Sequence, residues 1–172
     1  MANIELYKLD KQLKTFLAAF LFALGAGVST GIIYLQFTTD LTPAGTIERY
    51  NGSPTNADEF EIAESYPKPI SEMLITTHSH IISFALIFGA LGFIFYFNSV
   101  ITDFWKTFLI IEPLVSTLVT FLSIWGIRYV HEGFIFLTIA SAMLMYISFY
   151  VMIIVLFYEL LFKKDISNRS NR

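Results

Sequence analysis

Three histidines are the residues of this chain best suited to chemistry, and each falls where an apolar run begins or ends. His78 and His80 lie in "SEMLITTHSHIISFALIFGALGFIF" (Ser71 to Phe95), and His131 lies in the turn "RYVHEG". A neutral imidazole nitrogen ligates metal ions and haem iron, and the ring can also carry a proton. His78 and His131, presented from facing helices, would supply the two axial ligands of a b-type haem, with His80 an alternative to either. Arg128 could hold a haem propionate, pair with Glu132, or dock the acidic connection. A mononuclear metal ion would instead recruit His78, His80 and His131, with Glu132 or Glu72 as the carboxylate ligand. The bland use of the same residues is interfacial: rings hydrogen-bonded to loop carbonyls at helix ends.

Two carboxylates add to the inventory. Glu112, followed by Pro113, stands about two turns beyond Lys106, and Glu159 stands one turn before Lys163. Carboxylates inside a membrane are costly and by default suggest function. Here a proton- or quinol-related role competes with anchoring by Lys14, Lys106 or Lys163 near the interface. Pro113 is expected to kink its helix and to free nearby backbone groups.

These residues must be positioned by membrane-spanning elements. Of 172 residues, 55% are hydrophobic and only 15% charged, against roughly 25% charged in soluble domains. The charges cluster at the two ends of the chain and in one polar stretch, which indicates a polytopic membrane protein. There is no cysteine, so thiolate metal sites, disulfides and C-x-x-C-H attachment of c-type haem are excluded. No nucleophile with a paired base and no glycine-rich phosphate cradle stands out, so catalysis by the chain alone is not expected. A net charge of −3 gives no reason to expect nucleic-acid binding.

Four runs are long enough to span: about 15–37, 73–97, 107–129 and 134–162. The first is too long for the apolar region of a cleavable signal peptide. Lys8, Lys11, Lys14, Lys106, Lys163, Lys164, Arg169 and Arg172 would lie on one side, and only Arg49, Lys68 and Arg128 on the other. The positive-inside rule then puts both termini in the cytoplasm. The connection 38–72 faces outward, carries Asp40, Glu48, Asp58, Glu59, Glu61, Glu64 and Glu72, and is a candidate docking segment for a membrane-protein partner. Its Pro, Gly and Asn residues read as turns, and Ser71 reads as the cap of the second span. Trp105, Trp125 and Tyr129 fit interfacial anchors.

Membrane helices pack through small and polar residues, so stripes of these at helical spacing predict the inward faces. In the second span Ala85, Gly89 and Gly92 share a face with His78. His80 falls about 200° away, with Phe84, Ile87, Leu91 and Phe95, and that bulky face is expected to meet lipid. The third span offers Glu112, Ser116, Val119, Ser123 and Gly126; the fourth offers Ser141, Met145, Ser148, Met152 and Glu159. Gly27 and Gly31 suggest close packing of the first span.

Four segments together carry a resemblance: "GVSTGIIYL", "PAGTIERYNGS", "SEMLITTHSHI" and "WGIRYVHEGF". The chain resembles small four-helix bacterial inner-membrane proteins with a T-H-x-H motif, here Thr77-His78-Ser79-His80. Some proteins of this kind accompany respiratory or multihaem cytochrome modules, which implies electron transfer near the outer face. The expectation is therefore an all-α, polytopic integral membrane four-helix bundle, a single membrane domain over residues 1–172. It would either hold a b-type haem or a metal ion for a respiratory partner, or serve as a non-catalytic accessory or assembly subunit of a larger membrane complex.

Overall fold

The computed structural model describes residues 5–53 and 65–163. Asp58, Glu59, Glu61, Glu64, Lys164, Arg169 and Arg172 lie outside the described residues. A short 3-10 turn, Leu6–Lys8, precedes α1 (Lys11–Thr39); α2 (Pro43–Asn51), α3 (Ile70–Tyr96), α4 (Asp103–Tyr129) and α5 (Phe134–Phe157) follow, and α5 continues into a π turn, Tyr158–Phe162. Four of these helices, α1, α3, α4 and α5 with its π turn, are long and apolar enough to cross a membrane. At 1.5 Å per residue a 27-residue helix is about 40 Å long, enough to cross a hydrocarbon core of about 30 Å with a turn to spare at each end.

Those spare turns are where the helices outrun the apolar runs. Asp10 caps α1 by accepting from the Leu13 N–H at 3.0 Å, so the helix begins four residues before its hydrophobic stretch. It ends where Asp40 adopts the left-handed conformation. Ser71 does not cap α3; Pro69 occupies that position and the helix starts at Ile70.

The polar connection is not all turns, contrary to expectation. Thr42 caps α2 by accepting from the Gly45 N–H at 3.0 Å, and Pro43 takes the first helical position, where its missing N–H costs nothing. Gly52, with φ of 85°, ends the helix in a conformation that suits glycine. Tyr50 of α2 is buried in a small cluster with Met73, Phe121 and Ile124, and burial pushes its phenol above the ordinary value.

The bundle is built on the α4/α5 hairpin. α3 packs against α4, while α1 lies more loosely along α5 and leaves a cleft of about 200 Å³ towards α3. The main core joins Phe88, Leu91 and Phe95 of α3 to Phe149, Met152 and Leu156 of α5. Only 6% of the best membrane-spanning window of α1 is buried, against 50% for α4. Gly25, Gly27 and Gly31 meet nothing within 4 Å of a notional Cβ, so the expected close packing of the first span is not made within the chain.

At the tight α4–α5 turn, a Cβ on Gly126 would come within 2.5 Å of the Phe134 ring. Gly126→Ala is expected to destabilise the hairpin by about 1–3 kcal/mol, the range for overpacking a filled site. Denaturant titration in mixed micelles measures this directly.

Candidate functional site

The face of α3 that turns inward is the opposite of the one expected. Phe84, Leu91 and Phe95 lie towards the bundle, Leu91 and Phe95 fully buried; His80 is exposed, although one side of its ring packs 5.2 Å from Phe121 of α4. His78, Ala85 and Gly89 are exposed. Gly92 alone of that stripe is buried, against Ile110. α3 meets bulky side chains of the hairpin, among them Phe121 and Phe149, with bulky groups of its own, and its small residues Ala85 and Gly89 are left uncovered.

His80 is held by its own helix, its Nδ1 2.8 Å from the Thr76 carbonyl oxygen. Thr77 accepts a hydrogen bond from the Trp125 indole N–H at 2.9 Å, which ties α3 to α4 at the same level. His78, one residue further on, is exposed. His131 is exposed in the α4–α5 turn, where its Nδ1 accepts from the Gly133 N–H at 2.8 Å. Both expected axial ligands, His78 and His131, are exposed. The Trp125–Thr77 bond and the His80–Phe121 contact join α3 to α4.

The other candidate ligands are dispersed as well. Glu72 pairs with Lys68 at 2.7 Å, and Glu132 accepts from the Asn51 amide at 3.3 Å. Arg128 donates to the Lys68 carbonyl at 3.3 Å and lies over the Tyr129 ring. Of the three uses foreseen for Arg128, the geometry realises the docking of the connection. Among the described residues, no group of three His, Asp or Glu side chains gathers as a metal site.

A second polar region runs between α4 and α5. Glu112, Ser116, Ser123 and Gly126 are buried, as their stripe predicts, and so are all five residues of the α5 stripe, Ser141 to Glu159. Val119 is only half-buried, and Thr117, Thr120 and Thr138, which the stripes omit, complete the contact. Ser123 and Thr138 hydroxyls are 2.7 Å apart, those of Thr120 and Ser141 2.8 Å, and Thr117 reaches the Met145 sulfur at 3.3 Å. Cross-helix hydroxyl pairs of this kind each contribute about 0.6–2 kcal/mol in a membrane. α4 runs unbroken through Pro113, whose carbonyl accepts from Thr117 at 2.7 Å.

The two intramembrane carboxylates prove unequal. Glu159 has no exposed surface, and both its oxygens accept from Ser99, from the N–H at 2.8 Å and from the hydroxyl at 2.5 Å. Lys163 completes the group by donating to the same Ser99 oxygen at 2.7 Å. Glu112 accepts from Ser116 on one oxygen; its other oxygen is buried and has no partner.

Comparison with known proteins yields a family and nothing narrower. Neither the curated proteins nor the solved structures provide a match. A family model described as Aq_1264_TM, a transmembrane helical domain, matches residues 40–167, which takes in α2 to α5 and leaves out the loosely attached α1. Four apolar spans and a match over most of its length identify the chain as a multi-pass membrane protein that belongs to the Aq_1264_TM transmembrane helical domain family.

Proposed function

We propose that the chain is a non-catalytic subunit of a larger membrane complex, in contact with its partner through the face of α3 that carries His78. The observation behind this reading is the exposure of His78 inside a span. It stands eight residues beyond Ile70, about 12 Å along the helix, where an imidazole facing lipid is unfavourable. A partner helix would supply the missing hydrogen bond, and Ala85 and Gly89 on the same face would let its backbone come close. In this arrangement the termini lie in the cytoplasm of a bacterial inner membrane and the acidic connection meets the partner outside.

A second reading is favoured by the same small residues. Ala85 and Gly89 leave open space below His78. A b-type haem could lie there between subunits, with His78 as one ligand and the partner supplying the other, for electron transfer. A photoreactive amino acid at position 78 or 85, activated in native membranes, is expected to give a discrete protein adduct. The same probe at Leu122, on the exposed side of α4, is expected to label lipid only. Lipid labelling at all three positions would overturn the subunit reading. A Soret band in the purified complex that disappears in His78→Ala distinguishes the haem form from the colourless one.

A further inference from the structure

Glu112 is the acidic residue set deepest in the four spans, since Glu159 stands in the last turn of the fourth. No charged residue lies between Lys14 and the end of α1, beyond His80 on α3, elsewhere between Lys106 and Arg128 on α4, or from Phe134 to Phe157 on α5. The side chain is 7% exposed, and one carboxyl oxygen is buried without a hydrogen-bond partner. The lysines that could have neutralised it are engaged elsewhere. Lys14 donates to the Tyr7 carbonyl at 2.6 Å, Lys106 to the Asn98 carbonyl at 2.7 Å, and Lys163 to Ser99.

The elements packed around α4 bring no charge to this level. The α4/α5 register runs Ser123 with Thr138, Thr120 with Ser141 and Thr117 with Met145, and the next buried residues of α5 after Met145 are the uncharged Ser148 and Phe149. The titratable groups α5 carries there are Tyr146 and Tyr150, and the Tyr150 hydroxyl is paired with Ser29 of α1 at 2.8 Å. α3 buries Leu91, Gly92 and Phe95, with Gly92 against Ile110 of α4. An ionised carboxylate enclosed by such groups costs several kcal/mol unless a positive charge joins it.

We propose that Glu112 is a proton-binding site within the membrane, and that its proton exchanges with water along the row of hydroxyls formed by Ser116, Thr120, Ser141, Ser123 and Thr138. Binding the proton removes the charge that the surroundings cannot balance. The row leads from Glu112 towards the α4–α5 turn and offers a hydroxyl at each helical turn. Exchange is what separates this site from an inert buried acid.

Infrared spectroscopy of the full chain in lipid bilayers at neutral pH tests the proposal. The carbonyl stretch of a protonated carboxyl is expected in the native protein, moving to lower frequency when D2O replaces water. It is expected to vanish in Glu112→Gln and to persist in Glu159→Gln. Thr120→Val should slow the deuterium shift several-fold. Should Glu112→Gln not fold, Glu112→Asp is expected to fold and to move the band. The proposal is overturned if the native protein lacks the band, if Glu112→Gln keeps it, if Glu112→Asp leaves it in place, or if deuterium never reaches it. Loss of the band on adding sodium or potassium ions also overturns it, because the occupant is then a metal cation. An unchanged exchange rate in Thr120→Val overturns the hydroxyl route.

Discussion

Replacing Glu159 with alanine is expected to lower the stability of the bundle by about 3 kcal/mol, since two hydrogen bonds to a charged group are lost at a buried site. Glu159 is fully buried and accepts twice from Ser99, which belongs to the connection between α3 and α4. Lys163 donates to the same serine, so one carboxylate ties the end of α5 to that connection. The neighbouring Asn98 organises the rest of the turn. Its side-chain oxygen accepts from the Ile101 N–H at 2.7 Å, and its carbonyl accepts from Lys106. Without Glu159 the Ser99 N–H has no acceptor, and near the membrane there is little water to replace it. Glu159→Gln keeps the shape and one acceptor oxygen and is expected to lose less than half as much. Unfolding titrations in mixed micelles give both values; equal losses in the two variants would show that charge, not the hydrogen bonds, holds the turn.

Phe149→Ala is the second large effect, with an expected loss of about 3 kcal/mol, at the low end for a buried phenylalanine. Phe149 has no exposed surface and meets the Phe88 ring edge-on at 6.1 Å, where α5 faces α3. Part of the usual penalty comes from moving apolar surface out of water, and that part shrinks when the unfolded helices remain in lipid. The cavity term remains, because the fully buried neighbours Leu91 and Met152 cannot both collapse into the space. Phe149→Leu is expected to recover most of the loss, and the same titration resolves the two. A loss under about 1 kcal/mol for the alanine variant would mean that α3 is free to reseat on the hairpin, as lipid-facing helices can.

The amino-acid sequence by itself determined the four spans, because about 20 apolar residues in a row have no other stable place than a bilayer core. It also determined the facing sides of α4 and α5, where polar residues recur at helical spacing and have only each other to pair with. In the sequence α2 reads as turns, because Thr42-Pro43 serves a turn as readily as the cap and first turn of a helix. The orientation of α3 was not legible. Lipid and protein interior are about equally apolar, so neither Phe84 and Leu91 nor Ala85 and Gly89 carry an intrinsic preference for one side. The shape of the α4/α5 surface made that choice, turning Leu91 and Phe95 inward and leaving Ala85 and Gly89 exposed. The contrast between the two carboxylates was likewise decided in three dimensions. Glu159 meets Ser99 across 60 residues of chain, whereas the lysines within reach of Glu112 in sequence are taken up by backbone carbonyls and by Ser99. Periodicity places a residue on a face; only the packed neighbours decide what that face meets.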